Sequence, residues 1–114
     1  MMIVRLISLP ALALALALGG PLAAAEEPAK VTITLKDHKF SPAEPTAPAG
    51  QPILLEIVNQ DGTPAEFESK AFKVEKVIVG GGTVTVNLRP LKAGRYRFFD
   101  DYHEATTEGF LVVQ

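Results

Sequence analysis

The sequence predicts an all-β protein, a single Greek-key β-sandwich over residues 26–114 behind a secretory leader. Three observations carry that reading. Short runs alternate apolar and polar residues with period two, turns bearing Gly and Pro separate them, and nothing after residue 25 repeats with the 3.6-residue period of a helix. With 114 residues, the chain is long enough for one packed core and too short for two.

Residues 1–25 hold Arg5 near the start, an apolar run rich in Leu and Ala over residues 6–18, and then Ala23-Ala24-Ala25. A positive start, a short apolar stretch and a small-residue cleavage site describe a signal peptide cut near Ala25; the apolar run is short for a membrane span. The chain has no cysteine, so no lipid is attached at the cleavage site. The mature part, residues 26–114, is expected to be periplasmic and not itself membrane-spanning.

Within that part, Val31-Thr32-Ile33-Thr34-Leu35-Lys36 alternates as a strand with one buried face does. The Pro-rich residues 41–52 suit an edge strand or an extended connection, because Pro cannot donate to a ladder. Ile53, Leu55 and Ile57 with Glu56 turned outward form the next strand, and residues 73–79 another. Gly80-Gly81-Gly82 reads as a turn; no helix follows it, as a phosphate-binding loop would require. Val84, Val86 and Leu88 alternate with Thr85 and Asn87. Arg89-Pro90 and Ala93-Gly94 punctuate the chain before a strand carrying Tyr96 and Phe98, and residues 109–114 close the sandwich.

Composition excludes several function classes. Eleven basic against thirteen acidic residues give a net charge of −2, with no basic patch for nucleic acid. The absence of cysteine removes disulfides, so a small exported domain must rely on its packed core. No Ser-His-acid arrangement, phosphate-cradling loop or zinc-type Cys/His spacing is present.

Strand direction says which loops share an end. On antiparallel up-and-down connectivity, the segment after residue 36, the segment after residue 59 and the segment after residue 99 reach one pole. His38, Glu66, Glu68, Asp100, Asp101, His103 and Glu104 therefore converge there. Imidazole suits Fe, Cu and Zn, and carboxylates suit harder ions such as Fe(III), Fe(II) or Cu(II).

Each candidate has two readings. Glu66 and Glu68, two apart on a strand, share a face; they either bracket a cation or form a solvated edge that discourages strand pairing. Asp100-Asp101 is either a site or a polar turn. His103 is the foremost ligand candidate and His38 a second one, and either is alternatively a plain surface imidazole. Tyr102 is a ligand or redox-active neighbour of the site, or else a packed ring with a wet hydroxyl, and Glu104 is an outer carboxylate or a solubilising charge.

Tyr96-Arg97-Phe98-Phe99-Asp100-Asp101-Tyr102-His103, followed by Gly109 and a closing strand, resembles the cupredoxin pattern aromatic-x-aromatic-Cys-x-x-His. Asp100 stands where that family has its copper thiolate, and His103 keeps its place. Residues 59–66 resemble the cupredoxin segment that ends a strand with Asn and supplies the first His ligand, with Glu66 at the ligand position. Glu66-Phe67-Glu68 resembles the Glu-aromatic-Glu motif of the EfeO-type periplasmic domains of bacterial iron uptake. Those domains carry a cysteine after the first strand and another near the last, where this chain has Phe40 and the Asp100 region. The resemblance implies a cupredoxin-like fold and an iron and/or copper ion held by Glu66, Glu68, Asp100 and His103, with Asp101 and His38 as further ligands and Tyr102 and Glu104 outside them. As partners it implies a membrane iron permease and a periplasmic iron/copper-binding protein. Its role is then ferroxidase-type oxidation of Fe(II) or iron delivery; a Cu(II) carrier and a metal-free interaction module are the readings from other classes.

Overall fold

The computed structural model describes residues 2–3 and 27–114. The predicted signal peptide thus lies, apart from Met2 and Ile3, outside the described residues. Among the described residues no helix is long and apolar enough to cross a membrane.

Nine strands follow one another: β1 Ala29–Lys36, β2 Lys39–Ser41, β3 Thr46–Ala47, β4 Ile53–Asn59, β5 Ala65–Ser69, β6 Val74–Ile78, β7 Thr83–Leu88, β8 Gly94–Asp100 and β9 Glu108–Val113. A one-turn 3-10 helix, Asp101–His103, joins β8 to β9. One sheet has the order β2-β1-β4-β7 and the other β3-β9-β8-β5-β6, which is the predicted β-sandwich.

The alternation read from the sequence is the alternation of burial. Ile33, Leu55, Ile57, Phe98 and Leu111 lose all solvent contact, and Phe67, Ile53 and Ile78 nearly all. Burying an aliphatic or aromatic side chain of this size stabilises by about 1.5–3 kcal/mol, which lets a domain without disulfides hold its fold. At the upper end of this core Phe40, Phe67 and Phe98 form an aromatic triad, with Phe40 edge-on to Phe98 at 5.0 Å and Phe67 at 5.4 Å from Phe98. Gly109 has no room for a side chain: a Cβ there would run into the Phe98 ring and the Ala43 carbonyl.

One expectation is corrected. Connectivity is not uniformly antiparallel, because β1 pairs with β4 in parallel from Ala29↔Ile53 to Leu35↔Asn59, and β3 pairs with β9 in parallel. The chain leaves β1 by a hairpin into β2, crosses to the opposite sheet for β3 and returns; a crossover of that length permits parallel neighbours. The Pro-rich segment is the two-residue edge strand β3, and Phe110, Val112 and Gln114 donate to the carbonyls of Ala43, Pro45 and Ala47 beside it. Parallel pairing leaves the predicted convergence intact, since β1, β4 and β8 all end at one pole.

Candidate metal centre

Three connections build that pole. The first is the β1–β2 hairpin, whose two-residue turn is Asp37-His38 with φ of 51° and 56°. The second runs from Asn59 to Ala65, and the third from Asp100 through Thr107. Asn59, buried at the end of β4, donates its side-chain amide to the carbonyl of Thr63 at 2.9 Å and to those of Ile78 and Val79. It accepts from the Asp61 N–H, so one buried amide fixes the course of the second connection.

Asp100 organises the third. It is 1% exposed. Its Oδ1 accepts from the Glu66 N–H at 3.0 Å and the Tyr102 N–H at 3.1 Å, the second bond capping the 3-10 helix. Its Oδ2 lies 3.2 Å from His103 Nδ1. A carboxylate only accepts, so the Nδ1 carries the proton and Nε2 is left with its lone pair for a ligand. The His38 ring stands 4.1 Å from the His103 ring between centroids, and both rings are more than a third exposed. Buried Thr107 ties the two connections together, donating its hydroxyl to the His38 carbonyl at 2.6 Å and its N–H to the His103 carbonyl at 2.9 Å. One donor atom from each of His38, Asp100 and His103 lies within 4.8 Å of the others.

Asp61 supports His38 from below. Its Oδ1 accepts from the Asp37 N–H at 2.6 Å and its Oδ2 from the His38 N–H at 3.0 Å, and it sits 3.8 Å from His38 Nδ1. Those backbone donors, His38 first, hold its carboxyl below the usual carboxylate range.

A second constellation joins Glu66, Glu68 and Asp101, again with donor oxygens within 4.8 Å. The register shows where it lies. Phe67 faces Asp100 across the ladder and Glu68 faces Phe99, and opposed residues share a face. Phe67 and Asp100 therefore point inward between the sheets, whereas Glu66 and Glu68 point to the outer side. Glu75 stands opposite Glu68 on β6 and adds a further carboxyl. A hydrogen bond with Glu75 is the main reason the Glu66 carboxyl is raised to about 7, helped by burial and by the charges of Glu75, Asp101 and Glu68. Glu68 is raised by burial and then by Asp101 and Glu75. The Tyr102 hydroxyl is pushed up by burial and by Glu66, with which it hydrogen-bonds.

The predicted residues thus reach one pole but do not form one four-ligand site. Asp100 and His103 go with His38 on the inner side, Glu66 and Glu68 with Asp101 on the outer side, and the β5–β8 backbone runs between. Asp100 joins them from the inner side, its Oδ1 accepting from the N–H groups of both Glu66 and Tyr102. Glu104 is drawn away: it and Glu108 pair with Arg97, at 3.4 and 2.7 Å, while the guanidinium lies over Phe99. Sequence reasoning passed over Asp61, Glu75 and Thr107. An Asn-x-Asp-Gly turn after a strand signals Asp61; nothing in the linear pattern sets Glu75 or Thr107 apart from the chain's other polar residues.

Residues 8–113 match the cupredoxin-like domain family. The chain belongs to that family. A relative, the uncharacterized protein RP394 of Rickettsia prowazekii (strain Madrid E), is 42% identical over 84 residues, covering 74% of this chain and 67% of the other. Among solved structures, the metal-binding domain of the Cu(I)-exporting P-type ATPase CopA of Streptococcus pneumoniae D39 is similar, with TM-score 0.66 and 16% identity, covering 75% of this chain and 84% of that one. Auracyanin A, a "blue" copper protein of Chloroflexus aurantiacus, gives TM-score 0.65 and 19% identity over 77% of this chain and all of the other. At such identities the likeness is one of fold.

The residues present decide which metal a cupredoxin-like protein of this composition accommodates. A blue-copper centre needs two imidazoles and a thiolate, and the thiolate is missing because the chain has no cysteine. Two imidazoles beside a buried carboxylate do fit a borderline ion such as Cu(II), and three carboxylates on the outer face fit a hard one such as Fe(II) or Fe(III).

Proposed function

We propose that this cupredoxin-like protein binds a transition-metal ion at the pole formed by His38, Asp100 and His103, and that it serves iron uptake in the periplasm. The observation that carries the proposal is the pair of adjacent imidazoles, each with a carboxylate near its Nδ1. That arrangement orients the rings as carboxylates behind metal-bound histidines do. Glu66, Glu68 and Asp101 supply an oxygen-rich place for iron within the same pole, and their mutual repulsion is relieved by any cation that binds them. Bound copper would supply a one-electron couple beside that place. The chain's own part is to hold the imidazoles at fixed separation, keep Nδ1 protonated through Asp100 and present carboxylates to an incoming cation. A membrane iron permease and a periplasmic iron/copper-binding protein are the partners this reading calls for.

A second reading, a Cu(II) carrier, is favoured by the histidine pair alone, and the similar structures include proteins whose names state copper. Anaerobic calorimetric titration of the purified protein with Fe(II), Mn(II) and Cu(II), repeated on Glu66→Ala/Glu68→Ala, separates the two. Binding of Fe(II) or Mn(II) that disappears in the double variant supports the iron reading. Copper binding that is indifferent to the variant, with no iron binding, makes the protein a copper carrier; no binding of any ion defeats both.

A further inference from the structure

The β1–β2 turn is built against local preference. A two-residue hairpin with positive φ at both central positions is the type I′ turn, which favours Asn or Asp first and Gly second. Asp37 satisfies the first preference. His38, at φ 56°, occupies the position where glycine is free and a side chain is strained. Strain of this kind persists where surrounding structure over-determines it, and it concentrates at functional sites.

The surroundings are specific. Each oxygen of Asp61 takes one of the two turn N–H groups. Asp61 is itself fixed at both ends, its N–H on Asn59 Oδ1 and its carbonyl accepting from the Gly81 N–H at 3.0 Å. Gly80 packs so closely on the Gly62 carbonyl that a Cβ would not fit. From the other side Thr107 fixes the His38 carbonyl. Thus the turn is clamped at its N–H groups, at its carbonyl and through the loop below it, and the outcome is an imidazole stacked on His103.

We infer that Asp61 is a positioning residue that forces His38 into the glycine position of a type I′ turn so that its imidazole completes the His103 site. This inference rests on reading His38 as a metal ligand. Asp61 need not touch the ion; it acts through the backbone of the residue that does. Two consequences follow, of which the second separates a positioning residue from an ordinary turn-capping aspartate. Replacing His38 by Gly should relieve the strain and stabilise the fold while removing the ligand. Replacing Asp61 by Asn, which keeps one acceptor oxygen and leaves one turn N–H without its partner, should disorient His38 and weaken metal binding.

The test compares wild type, His38→Gly, Asp61→Asn and the double variant. Urea unfolding of the metal-free proteins should show His38→Gly more stable, its unfolding constant lowered about fivefold or more. Cu(II) titration should show Asp61→Asn weakened by roughly 10–100-fold, with no added effect of Asp61→Asn once His38 is gone. NMR of the metal-free protein should show cross-relaxation between the His38 and His103 rings in wild type and its loss in Asp61→Asn. The inference is overturned if Asp61→Asn keeps that cross-relaxation and binds copper within twofold of wild type, or if His38→Gly is no more stable than wild type. Should wild type bind no copper, the proposed function fails, and the metal-free measurements still decide whether Asp61 sets the His38 ring. If Asp61→Asn does not fold, the stability of His38→Gly carries the decision.

Discussion

Asp100→Asn separates an organising carboxylate from a mere surface acid. In the native protein Oδ1 receives two backbone N–H bonds and Oδ2 faces His103 Nδ1, all at 3.0–3.2 Å around a side chain that is 1% exposed. Asparagine keeps the Oδ1 acceptor but not the charge. A hydrogen bond to a charged partner contributes about 1.5–3 kcal/mol against 0.5–1.5 for a neutral one, so two weakened bonds cost roughly 1–3 kcal/mol. The amide NH2 then points at His103 Nδ1 as a donor, which favours the other tautomer and places the proton on Nε2, where the metal should bind. Loss of such a partner lowers metal affinity by about 10–100-fold. Asp100→Ala is harsher, because the Glu66 and Tyr102 N–H groups lose their acceptor; at about 1–3 kcal/mol each the cost approaches the whole stability of a small domain. Urea unfolding of the metal-free variants and copper titration of Asp100→Asn measure both effects. An Asp100→Asn protein as stable as wild type to within about 0.5 kcal/mol, with unchanged copper affinity, would refute an organising role for Asp100.

Two further outcomes are expected. The folded state holds a proton on Glu66 that the unfolded chain does not, its carboxyl moving from 4.5 to about 7; the stability linked to it is full below pH 4.5 and is lost as pH rises through about 7. Glu75→Gln removes the neighbouring charge and can donate to an ionised Glu66, so it should flatten this fall in melting temperature between pH 4.5 and 7, and a variant as steep as wild type would place the proton elsewhere. Asp100→Cys puts sulfur behind His103 Nδ1, away from an ion on Nε2, so its Cu(II) complex should lack the strong visible absorption of a copper thiolate; an intensely coloured complex would show that His103 binds through Nδ1 and shares its ion with residue 100.

The sequence carried the sandwich because period-two alternation is the fold's own signal, present wherever one strand face is buried. It also carried the pole, since each strand ends where its alternation ends, and the direction of β1, β4 and β8 does not depend on which neighbours they pair with. It did not carry the division of the site. Period two says that Glu66 and Glu68 share a face, but whether Asp100 joins them depends on the register between β5 and β8, and a one-residue shift sends a side chain to the opposite face. His38 was legible as a candidate ligand, but not the means by which its ring is brought to His103. Its position is set by φ at the turn and by an aspartate 23 residues away; the Asn-x-Asp-Gly pattern marks that aspartate as a turn residue but does not say which distant backbone it holds.

That division bears on how the protein works. Asp100 Oδ1 takes the N–H of Glu66, and Tyr102 gives its N–H to the same oxygen. The inner imidazole cluster and the outer carboxylate cluster therefore hang on one hydrogen-bonded junction. A cation held by Glu66, Glu68 and Asp101 would bind at the first residue of the 3-10 turn that ends in His103. Two ligands acting on a common element are coupled in both directions and by equal factors. Saturating the inner site with Cu(II) should accordingly change the affinity of the outer site for Mn(II). Equal Mn(II) affinity with and without copper would mean that the two clusters are independent neighbours on one fold.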